Sequence, residues 1–446
     1  MATIPLAGQA QSASPLRLYV LAIVIAVVAE ALGPLAIPLG IGKVVLLPMI
    51  WALLIGLALG IWQQRLPAAT RVDLPTQFLA SAVLQPALLI FIAKLGLLVG
   101  GALPKLAEAG WGLLLQEFGN LFGCVLLGMP VALLLGIKRE AVGATFSIGR
   151  EPGLAIIGEK FGMDSPEGRG VLAEYVTGTL IGAIFISIFA GFVTSLNLFH
   201  PLALAMGAGV GSGSMTAAAV GAIAAQQTPE VAKDVAAFAA ASNLIATTVG
   251  TYMTLFISLP FAVWAYRVLE PVLGRGRDRG DKGAIQLTET EKQAAGMIVP
   301  DLKWLERLLA WCVVGFMVLL GNRVGFGVPI LEALPGVALM VGAVVIGDLI
   351  YRGLGRKIPA VCWVSLVAMG MTFPGFPLAS TIAELTGKVS FLALITPMLT
   401  FAGLSLAKDL PAFRRLGWRI VVVSLLANAG VFLGAAFIAQ FFVHTL

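Results

Sequence analysis

Charge is what this chain lacks most. Only 12% of its 446 residues are Asp, Glu, Lys or Arg, against 59% hydrophobic residues and a mean hydropathy of +0.97. Soluble domains carry about 25% charged residues, and a soluble fold this poor in charge has too few polar groups to cover its surface. Cysteine and histidine are scarcer still. Cys124, Cys312 and Cys362 stand far apart inside apolar runs, which excludes a disulfide framework and a CxxC metal site. The two histidines, His200 and His444, exclude a histidine-ligated metal cluster. No nucleophile elbow, phosphate-binding P-loop or zinc motif is present, and Ser212 has no histidine placed to activate it, so no enzyme is expected. The formal net charge of +6 comes from basic residues flanking hydrophobic spans, without the aromatic-interleaved patch of a nucleic-acid binder. The polar start lacks a basic n-region and an A-x-A site, so no cleaved signal peptide is expected.

What is present is hydrophobic length. A span needs about 20 apolar residues. Candidates are 18–39, 42–62, 78–101, 111–136, 168–195, 236–265, 308–321, 330–350, 388–407 and 418–443. Three further stretches, 141–163, 200–227 and 359–387, are apolar but interrupted by glycine, proline, serine or charge. The expectation is an all-α polytopic membrane protein of 10–13 transmembrane elements, three of them discontinuous. The charges crowd into one place: Arg267 to Arg307 holds eight basic and seven acidic residues, 15 of the 52 in the chain. That segment reads as a solvated linker, 266–307, between a first membrane half, 1–265, and a second, 308–446. Lys/Arg bias in the loops puts the N-terminus and this linker in the cytoplasm.

An internal repeat supports two halves. Leu103-Pro104 followed by Gly110-Trp111 recurs as Leu410-Pro411 followed by Gly417-Trp418, and the same offset carries Gly123 onto Gly430. One loop is poor in basic residues and the other is rich, so the copies are expected to point in opposite directions. Inverted repeats with broken helices are the architecture of secondary transporters.

Three groups of residues carry candidate chemistry. The run from Gly207 to Thr216 holds too much glycine for a regular helix, and unwound backbone in hydrocarbon is tolerated only where it is buried or lines a cavity. Gly209, Gly211, Ser212, Gly213, Ser214 and Thr216, at the positive end of the following half-helix, are read as an anion cradle; close helix packing through small residues is the alternative. In the second, Ser147–Gly153, Arg150 is placed to hold a carboxylate and Glu151 to orient it or take a proton; a solvated loop is the alternative. In the third, Asn243, Thr247 and Thr248 share one face of a span, as do Glu117 and Asn120, and Asn428 falls within one residue of Asn120's repeat partner. These oxygens suit a sodium ion, or a proton on Glu117, or ordinary interhelical hydrogen bonds. Glu30 and Asp348, lone acids near span ends, are expected to snorkel to the interface. Glu174, Tyr175 and Thr177 are read as a cavity rim.

The two Gly/Ser-rich broken elements, the hydrophilic central loop and the repeat resemble the elevator-type secondary transporters. These include the 2-hydroxycarboxylate (citrate) transporters, the glutamate:sodium symporters and the bile-acid-symporter-like proteins. The 207–216 run is similar to the glycine loop of the citrate group, with Ser212 where an asparagine is usual, and Phe401–Leu406 also has the look of that superfamily. The overall pattern most resembles a bacterial permease family known only as a domain of unknown function. The resemblance implies a scaffold domain, a transport domain that carries substrate across, and a homodimer. The expected activity is ion-coupled transport of a small organic anion across the bacterial inner membrane, with Na+ or H+ as coupling ion and no other cofactor; a channel or holin-like export component is the alternative.

Overall fold

The computed structural model describes residues 14–443 apart from 40–41, 66, 68–69, 150–152, 154–155, 158–159, 163–164, 275–301 and 356–359. The first helix, α1 (Pro15–Leu32), starts where the Ser14 side chain accepts the Arg17 N–H and proline takes the N1 position, and ends at Gly33 with φ 68°. The expected helical span 18–39 is therefore too long. Pro34 and Pro38 cannot donate to a helix, and the chain instead makes a two-stranded hairpin, β1 (Leu35–Leu39) and β2 (Gly42–Leu46), which corrects the all-helical expectation at this point. Next come α2 (Pro48–Ile61), α3 (Leu74–Ala109), α4 (Trp111–Leu134) and the short α5 (Glu140–Thr145). A π turn at Gly178–Gly182 joins α6 (Pro166–Thr177) to α7 (Ala183–Ser195). The 200–227 stretch is broken as read, into α8 (Pro201–Ala208) and α9 (Gly213–Ala224). The expected span 236–265 is part of a longer run, α10 (Pro229–Met253), a second π turn (Thr254–Ser258) and α11 (Leu259–Leu273). Beyond 275–301 follow α12 (Trp304–Phe326), α13 (Ile330–Gly353), α14 (Ala360–Met371), α15 (Ala379–Gly387), α16 (Phe391–Leu406) and α17 (Leu410–Val443), the last broken at Gly417.

Among the described residues, seven helices are long and apolar enough to cross a membrane, and nine if each of two bent pairs counts as one span. The chain is a multi-pass membrane protein.

It forms two compact units, and neither follows the sequence halves 1–265 and 308–446. The first unit comprises residues 1–37, 45–104 and 296–408; the second comprises 38–44, 105–295 and 409–446. Each draws on both sides of the 266–307 segment.

In the first unit α2 lies against α16, where a Cβ on Gly56 would stand 2.7 Å from the Leu404 nitrogen. Four buried polar groups pin its helices. Lys94, 4% exposed in the middle of α3, donates from Nζ to the Thr386 carbonyl at the end of α15 (2.6 Å). That carbonyl lies at a bend of 63° between α15 and α16. Asn322 takes the Ser390 N–H and donates to the Lys388 carbonyl across the same bend. Glu30 does not snorkel. It is buried and accepts the Thr396 hydroxyl at 2.6 Å. Nor does Asp348, which is fully buried with Arg307 at 3.1 Å on one oxygen and Arg352 at 2.6 Å on the other.

In the second unit α4 and α17 are in backbone contact. Gly119 meets Gly434 and Gly123 meets Gly430, so closely that a Cβ at any of the four would overlap a backbone atom of the other helix. One series rises as the other falls, so the helices run antiparallel. The helices that follow the two copies of the Leu-Pro…Gly-Trp pattern thus lie against each other in opposite directions, each opening at a glycine with positive φ, Gly110 and Gly417. Ion pairs Arg139–Glu167 (2.6 Å) and Arg169–Glu140 (3.0 Å) tie α5 to α6, and Lys138–Glu270 (2.7 Å) ties the α4–α5 loop to α11.

Candidate functional site

The break between α8 and α9 lies in the second unit, packed against α10. A helix leaves its last carbonyls without intrahelical partners, and α10 supplies donors for them. The Ser242 hydroxyl donates to the Met206 carbonyl (2.7 Å), and Asn243 Nδ2 donates to the carbonyls of Gly209 (2.8 Å) and Gly211 (3.1 Å). The same nitrogen lies 3.2 Å from the Thr216 hydroxyl on the other side of the break. Gly209 makes the approach possible: a Cβ there would stand 2.5 Å from the Ser242 Cβ. Ser212 caps α9 in an extended conformation, with its hydroxyl 3.4 Å from that of Ser214, and Gly213 is the first residue of the half-helix.

A small cavity with room for about one water molecule opens beside the break. Gly207 and Ala208 line it from α8, Gly211 from the break, Met215 from α9, Ile148 from the segment after α5, and Asn428 from α17. The two stretches singled out in the sequence therefore meet at one cavity. Asn428 is 1% exposed. Its Nδ2 must face the Ser424 carbonyl, to which it donates at 2.7 Å, and its Oδ1 has no hydrogen-bond partner among the described residues. Buried polar atoms without partners are rare, so an acceptor left open beside a cavity marks a place for a donor.

Behind the break lies a second polar cluster. Glu117 on α4 is fully buried; Gln116 Nε2 donates to its Oε1 (2.8 Å) and Asn120 Nδ2 to its Oε2 (2.9 Å). Gln116 Nε2 is also 3.0 Å from the Ser242 hydroxyl. A continuous chain of contacts thus runs from Asn120 through Glu117, Gln116 and Ser242 to the Met206 carbonyl at the end of α8. The Glu117 carboxylate faces Gly250 of α10, where a Cβ would stand 3.2 Å from Oε2.

Of the residues read from sequence, Gly209, Gly211, Ser212, Gly213, Ser214 and Thr216 gather at the break with Asn243, and Glu117 and Asn120 join them through two residues the reading passed over, Gln116 and Ser242. Each of those immediately precedes a residue that was noted, and polarity within an apolar span was the available signal. Arg150 and Glu151 lie outside the described residues, and so do the side chains of Thr247 and Thr248. Glu174, Tyr175 and Thr177 are buried in α6, and the Thr177 hydroxyl has no partner among the described residues. No group of three or more His, Cys, Asp or Glu side chains suited to a metal occurs among the described residues.

A family described as a protein of unknown function (DUF3100) matches residues 27–268, more than half of the chain. The match takes in the α8–α9 break, Glu117 and Asn243 and stops short of Asn428. No curated protein and no solved structure matches the chain.

Proposed function

The chain belongs to the DUF3100 family, whose function is unknown, and from the geometry of its second unit we propose that it is an ion-coupled secondary transporter of a small organic anion. The observation that carries this reading is the α8–α9 break with its cavity. Backbone that leaves the helix within an apolar stretch, carbonyls taken up by Ser242 and Asn243, and a half-helix N-terminus beside a cavity together suit a small polar guest, whose hydroxyl or bound water would meet the acceptor on Asn428. The positive end of α9 favours an anion, and Arg150 is assigned as its charge partner. In this reading the second unit carries the substrate and the first is the scaffold, in an elevator-like cycle driven by a Na+ or H+ gradient. Asn243, Thr247, Thr248, Glu117 and Asn120 belong to the coupling side. A homodimer in the bacterial inner membrane, with the N-terminus and the 266–307 segment in the cytoplasm, completes the proposal.

The test is uptake of a panel of radiolabelled small mono-, di- and tricarboxylates into proteoliposomes under imposed sodium and proton gradients. Gly211→Leu fills the cavity, and its Cβ alone would come within 3.2 Å of the Met215 Cβ. This variant and Arg150→Ala are expected to lower uptake at least tenfold. Flux that persists after both gradients are collapsed would point to a pore instead. Undiminished uptake in both variants would remove the site.

A further inference from the structure

We propose that Glu117 is the proton-binding site of this carrier, and that Gln116 converts its protonation into a hydrogen-bond change at the α8–α9 break. The inference rests on the transport reading above and names its coupling ion.

A fully buried carboxylate must be neutralised or paired, because an isolated charge in such surroundings is costly. No cationic side chain pairs with Glu117 among the described residues. The elements packed around it carry their described charges toward their ends: Arg419 on α17, Glu230, Lys233 and Asp234 on α10, Arg267 and Glu270 on α11, and Glu140 on α5, with His200 capping α8. None of these is in hydrogen-bond or ion-pair contact with the carboxylate. What does contact it is two N–H donors, one on each oxygen. A sodium ion needs converging oxygens, and among the described residues the nearby place where oxygens converge is already filled. The carbonyls of Gly209 and Gly211 and the Thr216 hydroxyl all meet Asn243 Nδ2. A proton needs only one lone pair, and each Glu117 oxygen keeps one.

Gln116 is set to respond. Its Nε2 lies 2.8 Å from Glu117 Oε1, 3.0 Å from Ser242 Oγ and 3.3 Å from the Leu113 carbonyl, while its Oε1 has no partner among the described residues. When a proton from water bonds to Glu117 Oε1, that oxygen becomes a weaker acceptor and gains an O–H, which on turning toward Gln116 meets the amide N–H donor to donor. A half-turn of the Gln116 amide exchanges nitrogen for oxygen in place, giving up the long 3.3 Å bond from Nε2 to the Leu113 carbonyl. Oε1 then accepts both the Glu117 O–H and the Ser242 O–H, and Ser242 lets go of the Met206 carbonyl. Loss of the proton to water reverses each step. Protonation therefore loosens the end of α8, next to the cavity.

The experiment uses the full-length protein in liposomes without any transported substrate. Infrared difference spectra across an acid-to-alkaline titration are compared for wild type, Glu117→Gln and Ser242→Ala, with hydrogen exchange at residues 207–213 corrected for intrinsic rates. Wild type should show a carboxylic-acid band that grows on acidification together with about tenfold faster exchange at the break, the effect of losing one buried hydrogen bond. Glu117→Gln should lose the band and the pH response together. Ser242→Ala should keep the band and exchange fast at every pH. A spectrum identical in wild type and Glu117→Gln, a band that responds to sodium chloride and not to pH, or exchange at the break indifferent to pH would each overturn the proposal. Failure of uptake in the panel above, with these titrations intact, would instead count against the transport reading alone.

Discussion

Asn243 sits where the cost of an unmet hydrogen bond is greatest. One amide nitrogen serves two backbone carbonyls of the α8–α9 break, that of Gly209 buried and that of Gly211 half-buried. Each buried acceptor left without a donor costs about 1–3 kcal/mol, so Asn243→Leu should destabilise the second unit by about 2–4 kcal/mol. The loss should be visible as earlier thermal unfolding in detergent, and Asn243→Gln should not restore it, because the longer side chain moves the amide off the break. An unfolding midpoint equal to wild type would show that the carbonyls find other donors. The sequence made this residue legible as a polar group in an apolar span, but spacing gives a face and not which end of an amide is used. Lys94 and Asp348 carry the same lesson. Their distant partners, the Thr386 carbonyl and Arg307, are 292 and 41 residues away in the chain, beyond anything helical periodicity can relate, although Arg352, the other arginine on Asp348, is its i+4 neighbour. Proximity to a span end suggested that Asp348 would reach for water, whereas two arginines reach for it.

Helices in this protein meet through glycine, and each contact gives a position where a single methyl group decides. Gly123 on α4 faces the Gly430 carbonyl at a separation no Cβ can share, and Gly430 faces Gly123 in the same way. Gly123→Ala must therefore push two backbones apart along the most intimate helix pair of the second unit. Overpacking typically costs about 1–3 kcal/mol, and contact with rigid backbone puts this substitution at the upper end or beyond. Gly342 in the middle of α13 is the control, since nothing lies within 4 Å of a Cβ built there. Gly342→Ala should be neutral or stabilising by up to about 1 kcal/mol, the difference in helix propensity. Thermal unfolding of the two variants side by side checks both, and equal behaviour would mean that α4 and α17 can slide. The repeat that pairs Gly123 with Gly430 was visible in the sequence, as was the opposite direction of its copies from loop charge. That the helices following the two copies would pack on each other was not, because a repeat reports kinship and not contact. The π turns at 178–182 and 254–258 left no trace in hydrophobic pattern either, since one extra residue per turn shifts a face without breaking it.

At the scale of the whole molecule, chain order and spatial order part company. Hydropathy and the charged 266–307 segment divide the sequence into two halves, and the class of protein follows from composition alone. The compact units do not respect that division. The first takes α1 to α3 from before the charged segment and α12 to α16 from after it; the second takes α4 to α11 from before and α17 from after. A sequence-local reading cannot find this, because the contacts that define each unit join residues some 300 apart, as between Gly56 and Leu404 or between Gly123 and Gly430. The consequence is testable. If a protease site is inserted within residues 275–301 and the purified protein is cut there, the two fragments are joined by no peptide bond, yet each unit still holds helices from both. The α4–α17 glycine contact in one unit and the α2–α16 contact in the other each span the cut, so separation would require exposing the apolar faces of both units. Burial of a single large apolar side chain is worth about 1.5–3 kcal/mol, and each interface buries several. The fragments should therefore co-elute on size exclusion in mild detergent after complete cleavage, with an unfolding midpoint close to that of the intact chain. Fragments that part on cleavage, each keeping its helical content, would mean that the chain folds by sequence halves and that the interleaved units are wrong.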